Sequence, residues 1–128
     1  MRRLAAFVAG SIAAVAVQAA PVTYNIDSAH TYPSFEADHM GGLSLWRGKI
    51  KSTNGKIVMD AAAGNGTVEV TMDMSTIDFG HDKMNEHARS AEILDVAKFP
   101  TATFSGKLAG FKAGAPTEVQ GNLTMHGV

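Results

Sequence analysis

The sequence contains no cysteine among its 128 residues. A disulfide framework and thiol-based catalysis are therefore excluded. The fold must be held together by the burial of apolar side chains and by backbone hydrogen bonds. Hydrophobic residues make up 45% of the chain, which is sufficient for one domain with a modest core.

Basic residues are few and scattered. Eleven Lys and Arg stand against twelve Asp and Glu, and they alternate with other residues only in RGKIKS, residues 47–52. A protein that binds nucleic acid needs a dense positive surface. We therefore exclude DNA and RNA as partners.

No hydrophobic run is long enough to cross a bilayer. The uncharged segment Leu4–Val17 follows Arg2 and Arg3, and its fourteen residues fall short of the roughly 20 that a transmembrane helix needs. A basic start, a short apolar run and small residues after it are typical of a secretory signal peptide. We predict a signal peptide at residues 1–19, a mature domain at 20–128 and export to the periplasm; a membrane anchor is the alternative.

Short segments of alternating character dominate the predicted mature domain. In TVEVTMDM, residues 67–74, valines and methionines share one face while threonines and acidic residues share the other. In SLWRGKIKS the same alternation places Trp46 with Ile50 and leaves Arg47 on the opposite face. Such patterns predict antiparallel strands with one buried face, and STNGK and AAGNG supply glycine and asparagine for tight hairpins. Further strands are predicted at 57–60, 102–107 and 118–125.

One segment interrupts the alternation. Between residues 81 and 100, Met84, Ala88 and Ile93 recur at helical spacing, with Asp82 as the predicted N-cap and Pro100 as the stop. The sequence therefore predicts a mainly β fold, an antiparallel β-barrel or β-sandwich, with one short helix. Alternation alone does not distinguish the barrel from the sandwich.

The histidines are not spaced as a metal or catalytic site. In one extended strand, His30 and His39 would lie up to roughly 30 Å apart on opposite faces. His81 and His87 would lie about 240° apart around a helix. No HExxH or nucleophile motif is present. We assign no catalytic residue, metal ligand or cofactor, and keep a metal-dependent hydrolase that uses loop histidines only as an alternative.

The apolar strand faces supply candidate ligand-binding residues. If the strands enclose a space, these side chains line a pocket for an apolar ligand. If the interior is completely filled, they form only the core of an envelope-stress structural protein without a ligand. The nine candidates are Phe35, Ala37, Trp46, Ile50, Met59, Val70, Met72, Phe104 and Leu123.

The order of several segments from residue 24 to residue 128 resembles the YceI-like family of bacterial exported lipid-binding proteins. The segments are YNIDSAHTYPSFEADHMGG, WRGKI, GKIVMD, STIDFGHDKMNEHARSAEILDVAKFPTATFSG and VQGNLTMHGV, and the most specific part runs from His87 to Phe104. The resemblance implies a lipocalin-like barrel around a polyisoprenoid or fatty-chain lipid, transient contact with the membrane surface and no established catalytic residues. The expected function is thus non-enzymatic transport, storage or sequestration of a lipid in the periplasm.

The chain also departs from the family pattern. Ala88 replaces a large apolar residue, and Ile93 and Leu94 stand where aromatic residues are usual. The sequence stops at LTMHGV, where family members continue through further strands. We therefore expect an incomplete barrel that lacks its last strands and exposes an edge, and such an edge would allow a homodimer.

Overall fold

The computed structural model describes residues 20–128. The predicted signal peptide at 1–19 lies outside the described residues. In this part of the chain no helix combines the length and the apolar character that a membrane span requires.

Strands account for most of the regular structure. The strands are β1 Val22–Asn25, β2 Ser34–His39, β3 Ser44–Ile50, β4 Thr53–Asp60, β5 Asn65–Asp73, β6 Ile77–Asp78, β7 Thr101–Ala109 and β8 Glu118–Thr124. A short 3-10 helix, Met74–Thr76, leads into β6, and the α-helix α1 covers Asp82–Arg89.

The strands form two antiparallel sheets. The larger has the order β1-β4-β5-β7-β8, and the smaller has the order β2-β3-β6. The predicted mainly β, antiparallel fold with one α-helix is confirmed. The barrel is not closed, because within residues 20–128 β8 pairs only with β7 and β2 pairs only with β3.

The predicted faces of β3 and β5 are confirmed. Val68 and Met72 of β5 are buried, whereas Glu69 between them is exposed. Ile50 of β3 is also buried, and Arg47 points to solvent. Period-two alternation identifies these faces because successive side chains of a strand point to opposite sides of the sheet.

The two predicted hairpins have different outcomes. AAGNG joins β4 to β5, with Gly64 at a φ of 66° in the turn and Asp60 paired with Asn65. The prediction of a hairpin at STNGK is wrong, because Thr53 to Lys56 lie inside β4. The strand before it, β3, belongs to the other sheet, so the chain crosses between sheets here instead of turning back.

Helix α1 is shorter than its apolar spacing predicts. Its N-cap is His81 rather than Asp82, because the His81 Nδ1 atom accepts the Met84 N–H at 3.3 Å. The helix ends at Arg89, well before Pro100. After it, Asp95 takes a positive φ of 42°, and its carbonyl accepts two later amides, so the segment continues as turns.

The core lies between the two sheets and the end of α1. Its buried residues are Ile50, Met72, Met74, Ile77, Ala88, Val96 and Ala102. Phe35, Val70, Phe79 and Leu94 pack around them while partly exposed. By contrast, every residue of β8 is exposed, so one side of the larger sheet's apolar face has no cover within the described residues.

Candidate ligand cavity

An apolar cavity of about 360 Å³ lies between the two sheets. Its walls come from β2, β3, β5, β6, β7 and β8 and from the turns after α1. The lining residues are Pro33, Ser34, Phe35, Glu36, Ile50, Met72, Met74, Ile77, Leu94, Ala102, Leu123 and Met125.

The sheet register explains how one cavity collects these side chains. Met72 of β5 stands opposite Ala102 of β7, so a long side chain and a short one lie side by side on the same face. Ile50 belongs to the inward face of β3 in the other sheet. The small Ala102 leaves room that a larger residue would fill, and the space between the sheets remains open there.

Leu94 reaches the cavity through the turns that follow the helix. Its N–H donates to the Ala88 carbonyl at 3.2 Å, which closes the chain back onto the end of α1. The Asp95 carbonyl then accepts the N–H groups of Lys98 and Phe99. These bonds place Leu94 between helix and sheets, where it forms one wall.

The lining includes two polar residues, Ser34 and Glu36, which alternate with the inward-facing Phe35 along β2. Ser34 and Glu36 lie on β2, and the Glu36 carboxylate accepts a 2.8 Å hydrogen bond from Arg47 Nε. Leu123 and Met125 also line the cavity and are 55% and 40% exposed. The cavity therefore offers mainly hydrocarbon walls.

Four of the nine candidate residues lie together at this cavity: Phe35, Ile50, Met72 and Leu123. They come from four different strands of both sheets. The structure thus brings residues that are far apart in the sequence to one cavity.

The other five candidates lie outside this lining. Val70 and Phe104 stand opposite each other in β5 and β7, and Met59 of β4 stands opposite the edge strand β1. Ala37 faces Trp46 across β2 and β3. All five are on inward faces, but the cavity occupies only part of the space behind those faces.

Trp46 belongs to a separate aromatic cluster. Its ring lies edge-on to those of His39, Phe79 and His81, with centroids 5.9, 6.4 and 5.8 Å away. This cluster joins β3 to the start of α1, so Trp46 is positioned to report on the helix rather than on the cavity.

Sequence reasoning missed several lining residues as candidate site residues. Met74 and Met125 lie on the inward phase of the predicted strands at 67–74 and 118–125, although they are not among the nine candidates. Ala102 shares the phase of Phe104 in the predicted strand 102–107, so it could have been identified in the same way, whereas Ile77 and Leu94 gave no such signal. Leu94 in particular required knowledge of how the chain folds back after α1.

A second, more open groove of about 520 Å³ runs beside β3 and β6 and shares the Phe35 wall. The Phe35 and Phe79 rings meet edge to face at 5.4 Å above Gly48, where an added Cβ would lie 2.6 Å from the Phe35 ring. The groove also includes Arg47 and Asp78. Its charges are of both signs, which makes it a poor match for a strongly charged ligand.

Asp78 anchors the end of the smaller sheet to the helix. Its Oδ1 atom accepts the Gly80 N–H at 2.9 Å and the Asn85 side-chain amide at 3.1 Å. Together with the more distant Lys51 ammonium, these donors hold the pKa of Asp78 below its ordinary value, the Gly80 hydrogen bond having the largest effect. Asp78 is therefore a structural carboxylate at neutral pH.

The histidines have separate local partners. His30 Nδ1 lies 2.7 Å from Asp27, His39 Nδ1 lies 3.0 Å from Ser44 Oγ, and the His126 ring packs on Phe99. The His30 ring, with help from a backbone amide, lowers the pKa of Asp27. Between residues 20 and 128, no three His, Asp or Glu side chains gather in a way that could hold a metal ion.

Comparison with known proteins gives this architecture a family. The model of the YceI-like domain matches residues 24–128. A UPF0312 protein from Ectopseudomonas mendocina is 35% identical over 128 residues, covering 98% of this chain and 66% of that protein. Protein YceI from Salmonella arizonae is 33% identical over 130 residues, covering 99% of this chain and 67% of the relative.

A solved structure agrees with the fold. The crystal structure of a mutant CJ YCEI protein superposes with a TM-score of 0.60 at 24% identity, covering 82% of this chain and 61% of that one. The chain thus spans about two thirds of the length of the relatives that it matches. On the family-domain match and the sequence identity to curated relatives, this chain belongs to the YceI-like family.

Proposed function

We propose that this chain is a non-enzymatic binding protein of the bacterial periplasm that holds the hydrocarbon tail of a polyisoprenoid or fatty-chain lipid between its two sheets. The observation that carries the proposal is the cavity of about 360 Å³, ten of whose twelve lining residues are apolar. Small-molecule sites are typically concave, mainly apolar and about 300–1,000 Å³ in volume.

Tail length, rather than polar contact, would set the affinity. Each methylene moved from water into the cavity contributes about 0.8 kcal/mol. The methionines Met72, Met74 and Met125 add walls with flexible side chains that adapt to ligands of different shape. Such walls favour a class of lipids over one defined molecule.

Two exposed lining residues suggest how a lipid enters. Leu123 and Met125 expose apolar surface directly beside the cavity. Apolar side chains at an opening can rest against a bilayer surface while a tail passes between membrane and cavity. We therefore include transient membrane contact in the proposal.

Titration with fatty acids of increasing length tests the proposal. Lauric acid is the reference probe, and binding to the purified protein is measured by isothermal titration calorimetry. We expect the affinity to rise about fourfold for each added methylene until the cavity is full. Equal affinity for short and long acids would contradict binding by tail burial.

A matched pair of variants locates the site. Leu123→Asp places a charge on the cavity wall, and Val119→Asp places the same charge on the same strand face at similar exposure but away from the lining. We expect Leu123→Asp to weaken lauric acid binding at least about tenfold and Val119→Asp to leave it unchanged. An equal effect of both variants would refute the location.

Organic extraction of protein purified from its host separates the lipid-binding proposal from a structural role without a ligand. A defined lipid in the extract, identified by mass spectrometry, supports the proposal. A clean extract from folded protein that also fails to bind lauric acid would favour the structural role.

A further inference from the structure

The hairpin between β2 and β3 ends in an exposed apolar tip. Met40 and Leu43 are 73% and 74% exposed, more than any other large apolar side chain of the described residues except Val128. Between them, Gly41 and Gly42 have positive φ angles of 66° and 92°, and a Cβ added to either would meet no atom within 4 Å. The tip therefore projects away from the rest of the described chain.

The base of the hairpin supports this tip. His39 stands opposite Ser44 in the register of the two strands, and its Nδ1 atom lies 3.0 Å from the Ser44 hydroxyl oxygen. The His39 ring also lies edge-on to the ring of Trp46, with the centroids 5.9 Å apart. Only residues 40–43 lie beyond the paired strands, so the apolar side chains are presented on a short turn with a fixed base.

Charged side chains begin at a defined distance behind the tip. Asp38 is the nearest, opposite the 59% exposed Leu45, and Glu36 and Arg47 follow two residues further along their strands. A strand rises about 3.4 Å per residue, so Asp38 lies roughly 7 Å behind Met40. The hairpin therefore has an apolar end of about this depth, followed by charged residues.

The size and shape of the tip favour a lipid surface over a protein. A stable protein interface uses about 20–30 residues on each side, whereas this tip offers Met40, Leu43 and the neighbouring Leu45. A bilayer needs no complementary shape, because its fluid lipids can surround a convex tip. Its polar layer is about 5–7 Å thick on each side, so the tip can reach the hydrocarbon while Asp38 stays among the head groups.

We propose that the β2–β3 hairpin docks this protein on a phospholipid bilayer. Met40 and Leu43 lie at the boundary of the hydrocarbon, and Leu45 lies at the level of the head groups. This depth matches the roughly 5–10 Å to which interfacial segments bury their apolar side chains. The docking adds a second surface to the membrane contact of the proposed function, and it does not require a lipid in the cavity.

The charges of the two strands cancel. Glu36 and Asp38 on β2 stand against Arg47 and Lys49 on β3, and the Glu36 carboxylate accepts a 2.8 Å hydrogen bond from Arg47 Nε. Attraction to an anionic surface, which needs clustered basic residues, is therefore small. Insertion of the apolar tip carries the binding, so neither anionic lipid nor low salt should be required.

Sedimentation with phosphatidylcholine vesicles tests the docking, with protein purified from its host. Leu43→Ser removes the most exposed side chain of the tip, and Ile93→Ser, the control, removes an exposed apolar side chain in the turns after α1. We expect Leu43→Ser to weaken vesicle binding at least about tenfold and Ile93→Ser to leave it unchanged. No binding by the parent protein, or an equal loss in both variants, would overturn the proposal.

A fluorescent label identifies the part of the protein that enters the bilayer. The chain has no cysteine, so nitrobenzoxadiazole can be attached at a single introduced one. We expect its emission to rise several-fold on phosphatidylcholine vesicles when it is attached to Met40→Cys. Attached to Thr71→Cys, exposed on the central strand β5, it should not change.

An emission rise that is absent at position 40, or equal at positions 40 and 71, would overturn docking through the hairpin. Both measurements are made without fatty acid in solution, so their failure would leave the cavity proposal intact. Failure of the protein to bind lauric acid would likewise leave the docking proposal intact.

Discussion

Thr53 has a buried side chain that is expected to lower the stability of the fold. Its side chain is fully buried, and its Oγ1 atom makes no hydrogen bond to any protein atom among residues 20–128. Its backbone N–H, in contrast, donates to the Ser28 hydroxyl at 3.3 Å. A buried polar atom without a partner lowers stability because it loses its hydrogen bonds to water.

Replacing that hydroxyl should stabilise the protein. Thr53→Val keeps the branched shape, so we expect the free energy of unfolding to rise by about 1 kcal/mol, measured by urea denaturation. Thr71→Val at an exposed position is the control, with an expected change within about 0.5 kcal/mol. A loss of stability in Thr53→Val would show that the hydroxyl has a partner.

Asp78 predicts a pH dependence at the residue scale. Because its pKa is lowered in the folded state, chiefly by the Gly80 hydrogen bond, its contribution is complete above the pKa of the unfolded chain. The contribution is lost as pH falls through the lower pKa of the folded state. We expect Asp78→Asn to be less stable than the parent near neutrality, with the difference shrinking in acid.

The measurement is urea denaturation of parent and Asp78→Asn from about pH 6 down to about pH 2. Asp27, whose pKa is also lowered, remains in the variant, so part of the acid dependence should persist. A stability difference that stays constant across this range would contradict the role assigned to the Asp78 charge.

At the scale of elements, helix α1 depends on contacts of its N-cap residue, His81. The His81 ring caps the Met84 N–H and also lies against Trp46 of β3. One side chain therefore both begins the helix and attaches it to the smaller sheet. The turns after the helix then carry Leu94 into the cavity wall, so the position of α1 also shapes the site.

Two substitutions separate the cap from the ring contact. His81→Asn keeps a capping acceptor but removes the ring, whereas His81→Ala removes both. We expect His81→Ala to be about 1 kcal/mol less stable than His81→Asn by urea denaturation. The near-ultraviolet circular dichroism of Trp46 should change in both variants, and equal stability of the two would show that the cap contributes nothing.

At the scale of the whole molecule, two open sheets leave an interior that is only partly filled. Ala102 is 1% exposed and lines the cavity. Its short side chain leaves the space in front of it unfilled. A filled interior maximises stability, whereas an open one keeps room for a ligand. Stability and ligand capacity should therefore respond in opposite directions when the cavity is filled.

Ala102→Leu tests that opposition. The longer side chain should enter the cavity and leave stability unchanged or raise it by about 1 kcal/mol, while lauric acid binding falls at least about tenfold. Urea denaturation and calorimetry measure the two effects. Thr103→Leu, on the exposed face of the same strand, is the control for which binding should not change. Unchanged binding in Ala102→Leu would place the ligand elsewhere.

How much of the fold can be predicted from the sequence depends on how far apart in the chain the interacting residues lie. The inward faces of β3 and β5 and the AAGNG hairpin were predictable, since period-two alternation and local turn chemistry involve neighbouring residues. STNGK has the same turn composition and nevertheless lies inside a strand, because Thr53 to Lys56 pair with β5. The residues around a glycine do not reveal whether a distant strand will pair with that segment.

The sequence by itself determined the alternation of apolar and polar residues, the absence of disulfides and the resemblance to the YceI-like family, because each is written in the order of residues along the chain. Only the tertiary structure decided that Phe35, Ile50, Met72 and Leu123 share one cavity while Trp46 does not. The physical reason is that a strand's phase says which face a side chain takes, whereas sheet pairing and chain crossing decide what lies opposite that face.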